Sequence, residues 1–157
     1  MSEFTHLNAA GDARMVDVSG KDVTARQATA RGWVAVSDEI IELLRGAGVP
    51  KGDALAVARI AGIAGAKKTP DLIPLCHPIA IHAVDVELEV REHDVQITST
   101  VRTADRTGIE MEALTSVATA ALALIDMVKA VDKRAEITGV QLIEKFGGKS
   151  GVWRRDA

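Results

Sequence analysis

Residues 107–133, TGIEMEALTSVATAALALIDMVKAVDK, form the longest helix-patterned run in the chain, and the rest of the fold is read outward from them. At about 100° per residue, Leu114, Val117, Ala121, Leu124, Ile125 and Val128 fall on one side. Glu112, Thr115, Ser116, Thr119, Asp126 and Lys133 fall on the other. Thr107 and Gly108 give a start signal, Glu110 and Glu112 suit the positive end of the helix dipole, and Lys129, Lys133 and Arg134 suit the negative end. The second side is unlike a solvated face. Its middle is Thr, Ser and Ala, with ionisable groups only at the ends. Residues that small suggest a second packing contact, although an ordinary buried helix with charged ends accounts for the pattern equally well. Glu112 and Asp126 lie on nearly one line but about 21 Å apart at 1.5 Å per residue, too far to form one carboxylate pair. Two copies of the helix packed antiparallel about a two-fold axis would bring the Glu112 end of one beside Asp126 and Lys129 of the other.

Before this helix the period changes to two. Val84, Val86, Leu88 and Val90 alternate with Asp85, Glu87 and Glu89, and Val95, Ile97, Ser99 and Val101 repeat the pattern after a polar turn at 91–94, which predicts a β-hairpin with one wet face. A strand is predicted over roughly 28–36 and a last one over 135–146, with a short strand at 14–19, RMVDVS. Ser37 and Asp53 cap two helices, the second rich in Ala and Gly and therefore built for close packing. The order strand, helix pair, strand, strand, helix, strand is βαββαβ, an α+β ferredoxin-like arrangement with an antiparallel sheet covered on one face.

The 157 residues suit one domain spanning 1–157, with 1–13 and 147–157 loosely held. A net charge of -3 with only 3% aromatic residues leaves neither a basic stripe nor stacking platforms, which argues against nucleic acid as a partner. No apolar run approaching the ~18 residues of a membrane span is expected, nor a signal peptide, so no membrane partner is read and the expected location is cytoplasmic. The single cysteine, Cys76, fits a reducing compartment and excludes a Cys-rich zinc site.

The segment 67–78, KKTPDLIPLCHP, holds three of the four prolines beside two lysines, an aspartate, Cys76 and His77. Such a loop is stiff without being regular, as positioned functional groups require. Adjacent Cys and His do not make a metal site, and neighbours in extended chain point apart, which also disfavours a Cys nucleophile with a His base. Cys76 reads as a small buried residue, and His77 as either a histidine satisfied by its surroundings or a substrate contact. Arg26, Lys51, Lys67, Lys129, Lys133 and Lys149 are singly ordinary surface cations. Together with Glu112 and Asp126 they could line a pocket for a phosphorylated substrate. The C-terminal GGKSG lacks the spacing of a nucleotide-binding P-loop and reads as a phosphate contact or lid.

The segments MVDVS at 15–19, ARIAGIAGAKKTPDLIPLCHP at 58–78, the run at 107–133 and GGKSG at 147–151 together resemble the MoaC family of molybdenum cofactor biosynthesis, the cyclic pyranopterin monophosphate synthases. The resemblance implies a lyase that converts a cyclised GTP derivative to cyclic pyranopterin monophosphate with release of pyrophosphate. It also implies a ferredoxin-like homohexamer, a trimer of dimers, with active sites at the dimer interface. Carried over by motif, Asp126, Lys129 and Lys51 are catalytic. Leu75, Cys76, His77, Met111, Glu112, Lys67 and Arg26 bind substrate. No resident metal or cofactor is implied, and a divalent ion accompanying the triphosphate is left open. Two other classes remain: a scaffold subunit using the small-residue face to oligomerise, and a regulatory module that senses GTP-like ligands without turnover.

Overall fold

The computed structural model describes residues 4–46 and 48–156. Along the chain the elements are β1 (Thr24–Ala35), α1 (Asp38–Arg45), α2 (Ala54–Lys67), α3 (Thr69–Leu72), β2 (Ile81–Val90), β3 (Asp94–Asp105), α4 (Glu110–Val128), β4 (Glu136–Phe146) and β5 (Trp153–Arg154). The strands lie in the order β2-β3-β1-β4-β5, every neighbouring pair antiparallel. The first four strands and their helices make the ferredoxin-like βαββαβ arrangement, with the helices on one face.

Period-two sequence decides which face that is. Val95, Ile97, Ser99 and Val101 of β3 and Ala28, Ala30 and Val34 of β1 are buried beneath the helices. The intervening residues form a polar ladder on the open face. Thr29 and Thr100 share a hydrogen bond of 3.0 Å, Arg31 Nε donates to Thr98, and Arg102 donates to Gln27 and Asp85. Cross-strand pairs of this kind let a sheet face water without unmade hydrogen bonds.

Ser37 caps α1 by accepting from the Ile40 N–H, and Asp53 caps α2 by accepting from the Ala56 N–H. The glycines and alanines of α2 then set its distance from α4. A Cβ on Gly62 would lie 3.2 Å from Ala120 Cβ, and one on Gly65 would lie 2.6 Å from Thr119 Cβ. On the sheet side Ser99 Oγ donates to Ser116 Oγ at 2.7 Å, and both residues are fully buried. The small-residue face is therefore covered by α2 and the sheet of the same chain. Thr115 and Ser116 are buried within the chain, so the expectation that they face a second copy is corrected.

Other boundaries also differ from expectation. Residues 15–19 form no strand, and β1 starts at Thr24. Four residues of the proline-rich segment make the helical turn α3, with Pro70 in its first turn, where a missing N–H costs nothing. Neither Thr107 nor Gly108 caps α4, which starts without a side-chain cap; beyond Val128 the chain continues as a turn. The expectation of no span-length apolar segment is corrected too, because α4 is long and apolar enough by length and composition to cross a membrane. Half of its most apolar window is buried against the rest of the fold, which is how a core helix passes the same test.

Gly65→Ala should destabilise the fold by about 1–3 kcal/mol, because the new methyl meets the branched root of Thr119. Ala64, exposed one residue earlier, should tolerate serine within about 0.5 kcal/mol. Thermal unfolding of both variants checks this.

Candidate active site

α2 and α4 run so that the start of α2 meets the end of α4, and the segment after α2 returns to the start of α4. Candidate residues consequently collect at the two ends of α4.

At the N-terminal end, Leu75, Cys76 and His77 face Met111 and Glu112 across a cleft of about 150 Å³. His6, Ile79, Thr107, Gly108 and Glu110 complete its lining. The stiffness of this wall has a local cause: Thr69 Oγ1 bonds the Ala66 carbonyl, the Ile73 N–H bonds the Thr69 carbonyl, and the Cys76 N–H bonds the Ile73 carbonyl. His77 Nε2 is bonded to the Val16 carbonyl. A carbonyl only accepts, so Nε2 carries the proton and a neutral ring presents Nδ1 as an acceptor. His77 is thus satisfied by the N-terminal segment and still lines the cleft. Its other side opens on a second cleft of about 510 Å³, lined by residues 15–19, Asp105 and Arg106.

Glu112 is only 2% exposed, and its Oε2 is buried with no hydrogen-bond partner. Burial pushes its carboxyl up to about 7, its own backbone N–H opposing this and the neighbouring Glu110 charge adding to it. The Cys76 thiol is pushed up as well, first by burial and then by Glu112, so it is a poor nucleophile as it stands.

The opposite end behaves in the opposite way. Asp126 accepts from Lys129 at 2.7 Å and from Lys51 at 3.4 Å, and these two ammonium groups hold its carboxyl below the usual range. Lys129 follows one turn on and donates its backbone N–H to the Ile125 carbonyl. Lys51 sits on a tight turn closed by the Gly52 N–H to the Val49 carbonyl, with Gly52 at φ 114, a conformation side chains rarely adopt. Val49 anchors that turn in the core. The side chains are 42% exposed for Lys51, 57% for Lys129 and 56% for Asp126. Ion pairs that open contribute little to stability, so the cluster is not explained by folding.

Arg26 lies in a third place. With Lys21, Asp22, Lys149 and Ser150 it lines a cleft of about 650 Å³ at the start of β1, closed by the GGKSG turn, whose Gly147 and Gly148 have φ 86 and 76. Its Nε donates to the Asp105 carbonyl, and Asp105 also lines the cleft behind His77. Lys67 ends α2 exposed to solvent and lines none of these clefts.

One chain therefore unites Leu75, Cys76, His77, Met111 and Glu112 in one cleft and Lys51, Asp126 and Lys129 in another. Arg26 and Lys67 stand apart from both. Sequence reasoning passed over residues 15–19 as part of the His77 wall, and Lys21 and Ser150 beside Arg26. The family motifs MVDVS and GGKSG were the signal available. The MoaC family model matches residues 15–148. The chain belongs to the MoaC family. Relatives named cyclic pyranopterin monophosphate synthase include one from Streptomyces coelicolor, 66% identical over 97% of this chain and 89% of its own. Another from Corynebacterium glutamicum is 55% identical over 98% of both chains, and one from Peptoclostridium acidaminophilum is 52% identical over 99% of both.

A raised carboxyl has a signed consequence for stability. The folded state keeps Glu112 protonated up to about 7, while the unfolded chain ionises near 4.5, so its contribution is complete below 4.5 and is lost as pH rises to 7. Glu112→Gln should match wild type in melting temperature at pH 4.5 and exceed it by roughly 10 °C at pH 8. Scanning calorimetry across that range checks the crossover.

Proposed function

We propose that this MoaC-family chain is a cyclic pyranopterin monophosphate synthase, rearranging a cyclised GTP derivative, 3',8-cyclo-7,8-dihydro-GTP, with release of pyrophosphate. The observation that supports it most directly is the Lys51–Asp126–Lys129 cluster. Two ammonium groups converge on one ionised carboxylate at 2.7 and 3.4 Å without contributing to the core. Asp126 orients Lys129, and Lys129 and Lys51 move protons while the base ring opens and the pyranopterin closes. Leu75, Cys76, His77, Met111 and Glu112 receive the base, while Arg26 and Lys67 meet phosphate. Side chains carry the proton transfers, and a divalent ion enters only as a companion of the triphosphate.

The active form in this reading is a homohexamer, a trimer of dimers, working in the cytoplasm, with each pocket built from two chains. Three observations support the shared pocket. The two groups of residues sit at opposite ends of a 19-residue helix, roughly 28 Å long. The cleft beside Glu112, at about 150 Å³, is well below the roughly 300 Å³ at which ligand pockets begin. Val57 and Ile60 of α2 and Leu122 of α4 are exposed apolar side chains on the helical layer.

Proton transfer by one positioned group contributes about 10² to 10⁴ in rate. Lys51→Ala and Lys129→Ala should each lose at least that much in single-turnover rate while still binding the triphosphate, and Arg26→Ala should weaken binding more than it slows the bound complex. If Lys129→Ala bound poorly yet turned over normally at saturation, Lys129 would be a phosphate contact and not a proton carrier.

A further inference from the structure

The ladder between β2 and β3 ends at the Ile81–Thr103 pair, so Ala80, three residues after His77, lies outside it. Two side chains at the end of β3 hold Ala80 instead. Thr103 Oγ1 donates to the Ala80 carbonyl, and Asp105 Oδ2 accepts from the Ala80 N–H at 3.2 Å. The other carboxylate oxygen of Asp105 accepts from the Arg106 N–H at 2.7 Å, and its backbone carbonyl accepts from Arg26 Nε at 3.1 Å. Arg106 in turn donates Nε to the Lys21 carbonyl at 3.1 Å, at the rim of the cleft that Arg26 lines. One residue thus holds the end of the proline-rich wall with its side chain and Arg26 with its main chain. An ordinary strand-end turn needs only the Arg106 bond, and the reach to Ala80, 25 residues back in the chain, is the additional feature. The Asp105 carboxyl is held below the usual range, first by the Arg106 N–H, then by the Ala80 N–H and the charges of Arg106 and Arg26, with burial opposing. It therefore accepts both bonds as a carboxylate. All of these contacts lie within one chain and hold whichever copy supplies Lys51 and Lys129.

Resting on the reading in which the His77 wall receives the base of the substrate and Arg26 its phosphates, we propose that Asp105 is a positioning residue that sets the separation of those two contacts. It acts through them and not on the substrate. A ligand whose base is already placed presents its phosphates to Arg26 as an intramolecular partner, and that advantage lasts only while the separation is fixed. Without the carboxylate, Ala80 is held by Thr103 alone and the Arg106 turn loses its bond, so the wall and Arg26 shift independently. Each contact can then still be made, but one ligand satisfies both at once less of the time. The bond to Arg26 takes Nε and leaves the two terminal nitrogens for a phosphate. Asp105 therefore orients the guanidinium without occupying the part of it that binds.

The test is titration calorimetry of the assembled protein with two probes: GTP, which has both ends, and tripolyphosphate, which has one. Wild type should bind GTP at least about tenfold more tightly than tripolyphosphate. Asp105→Asn keeps one acceptor for the Arg106 N–H and turns an amide NH2 toward Ala80, and Asp105→Ala removes both bonds. Each should weaken GTP about tenfold, the scale of one hydrogen bond to a charged group, and leave tripolyphosphate within about threefold. With the cyclised substrate the same loss should fall on KM and not on the single-turnover rate at saturation. Thr103→Val releases Ala80 from its other side without touching Asp105, and should also weaken GTP more than tripolyphosphate. An unchanged ratio of the two affinities in Asp105→Asn and Thr103→Val, with or without a fall in melting temperature, would overturn the proposal, as would a wild type that binds both probes equally. A gain in tripolyphosphate affinity with GTP unchanged would overturn it too, because Asp105 would then act only as a charge beside Arg26. Pyrophosphate release from the cyclised substrate, measured on the same wild-type preparation, separates the failures. Product formed while the ratio stays unchanged in the variants overturns this proposal alone, and absence of product overturns the functional reading along with it.

Discussion

The close approach of α2 to α4 is the constraint on which the other geometry depends. Gly62 and Gly65 let α2 sit so near that an added methyl would meet Ala120 or Thr119. That distance fixes where both ends of α2 arrive. Its start brings the Lys51 turn to Asp126, and its end launches the proline-rich wall toward Glu112. Interiors are packed densely enough that such a contact has little slack, so a glycine in the core governs lysines at the rim.

The same helix treats its two carboxylates in opposite ways. Glu112 and Asp126 share one flank of α4, yet the proline-rich segment covers the first and leaves the second open. Burial raises the Glu112 carboxyl to about 7, and two ammonium groups lower that of Asp126. Divergent environments for paired acids are how one scaffold supplies both a proton holder and a permanent charge.

Sequence patterning carried the layout well where one rule acted alone. The hairpin followed from strict alternation, the caps at Ser37 and Asp53 from local chemistry, and the antiparallel α+β class from the βαββαβ order of elements. It misled where a tertiary partner decided the outcome. Thr115 and Ser116 look like an intermolecular face until α2 and Ser99 are seen to cover them. The short strand expected at 14–19 has the right residues but no neighbouring strand, and its Val16 carbonyl goes to His77 instead. For the site, Asp126 and Lys129 three residues apart were legible as a helical pair, whereas Lys51, 75 residues away in the chain, was grouped with them only as one of six cations that could line a phosphate pocket, and nothing local marked it as the partner of Asp126. The raised carboxyl of Glu112 had no sequence signal, because burial by a distant segment is a property of the fold.

α4 carries Glu112 and Asp126 near its opposite ends, and the function proposed above has two copies share each site. Mixing Glu112→Ala with Asp126→Ala, each inactive alone, after subunit exchange has been demonstrated, measures this directly. Half of the randomly formed dimers pair unlike chains and carry one intact pocket of two, so activity should return to about a quarter of wild type. Mixed assemblies that exchange subunits and remain inactive would contradict the account.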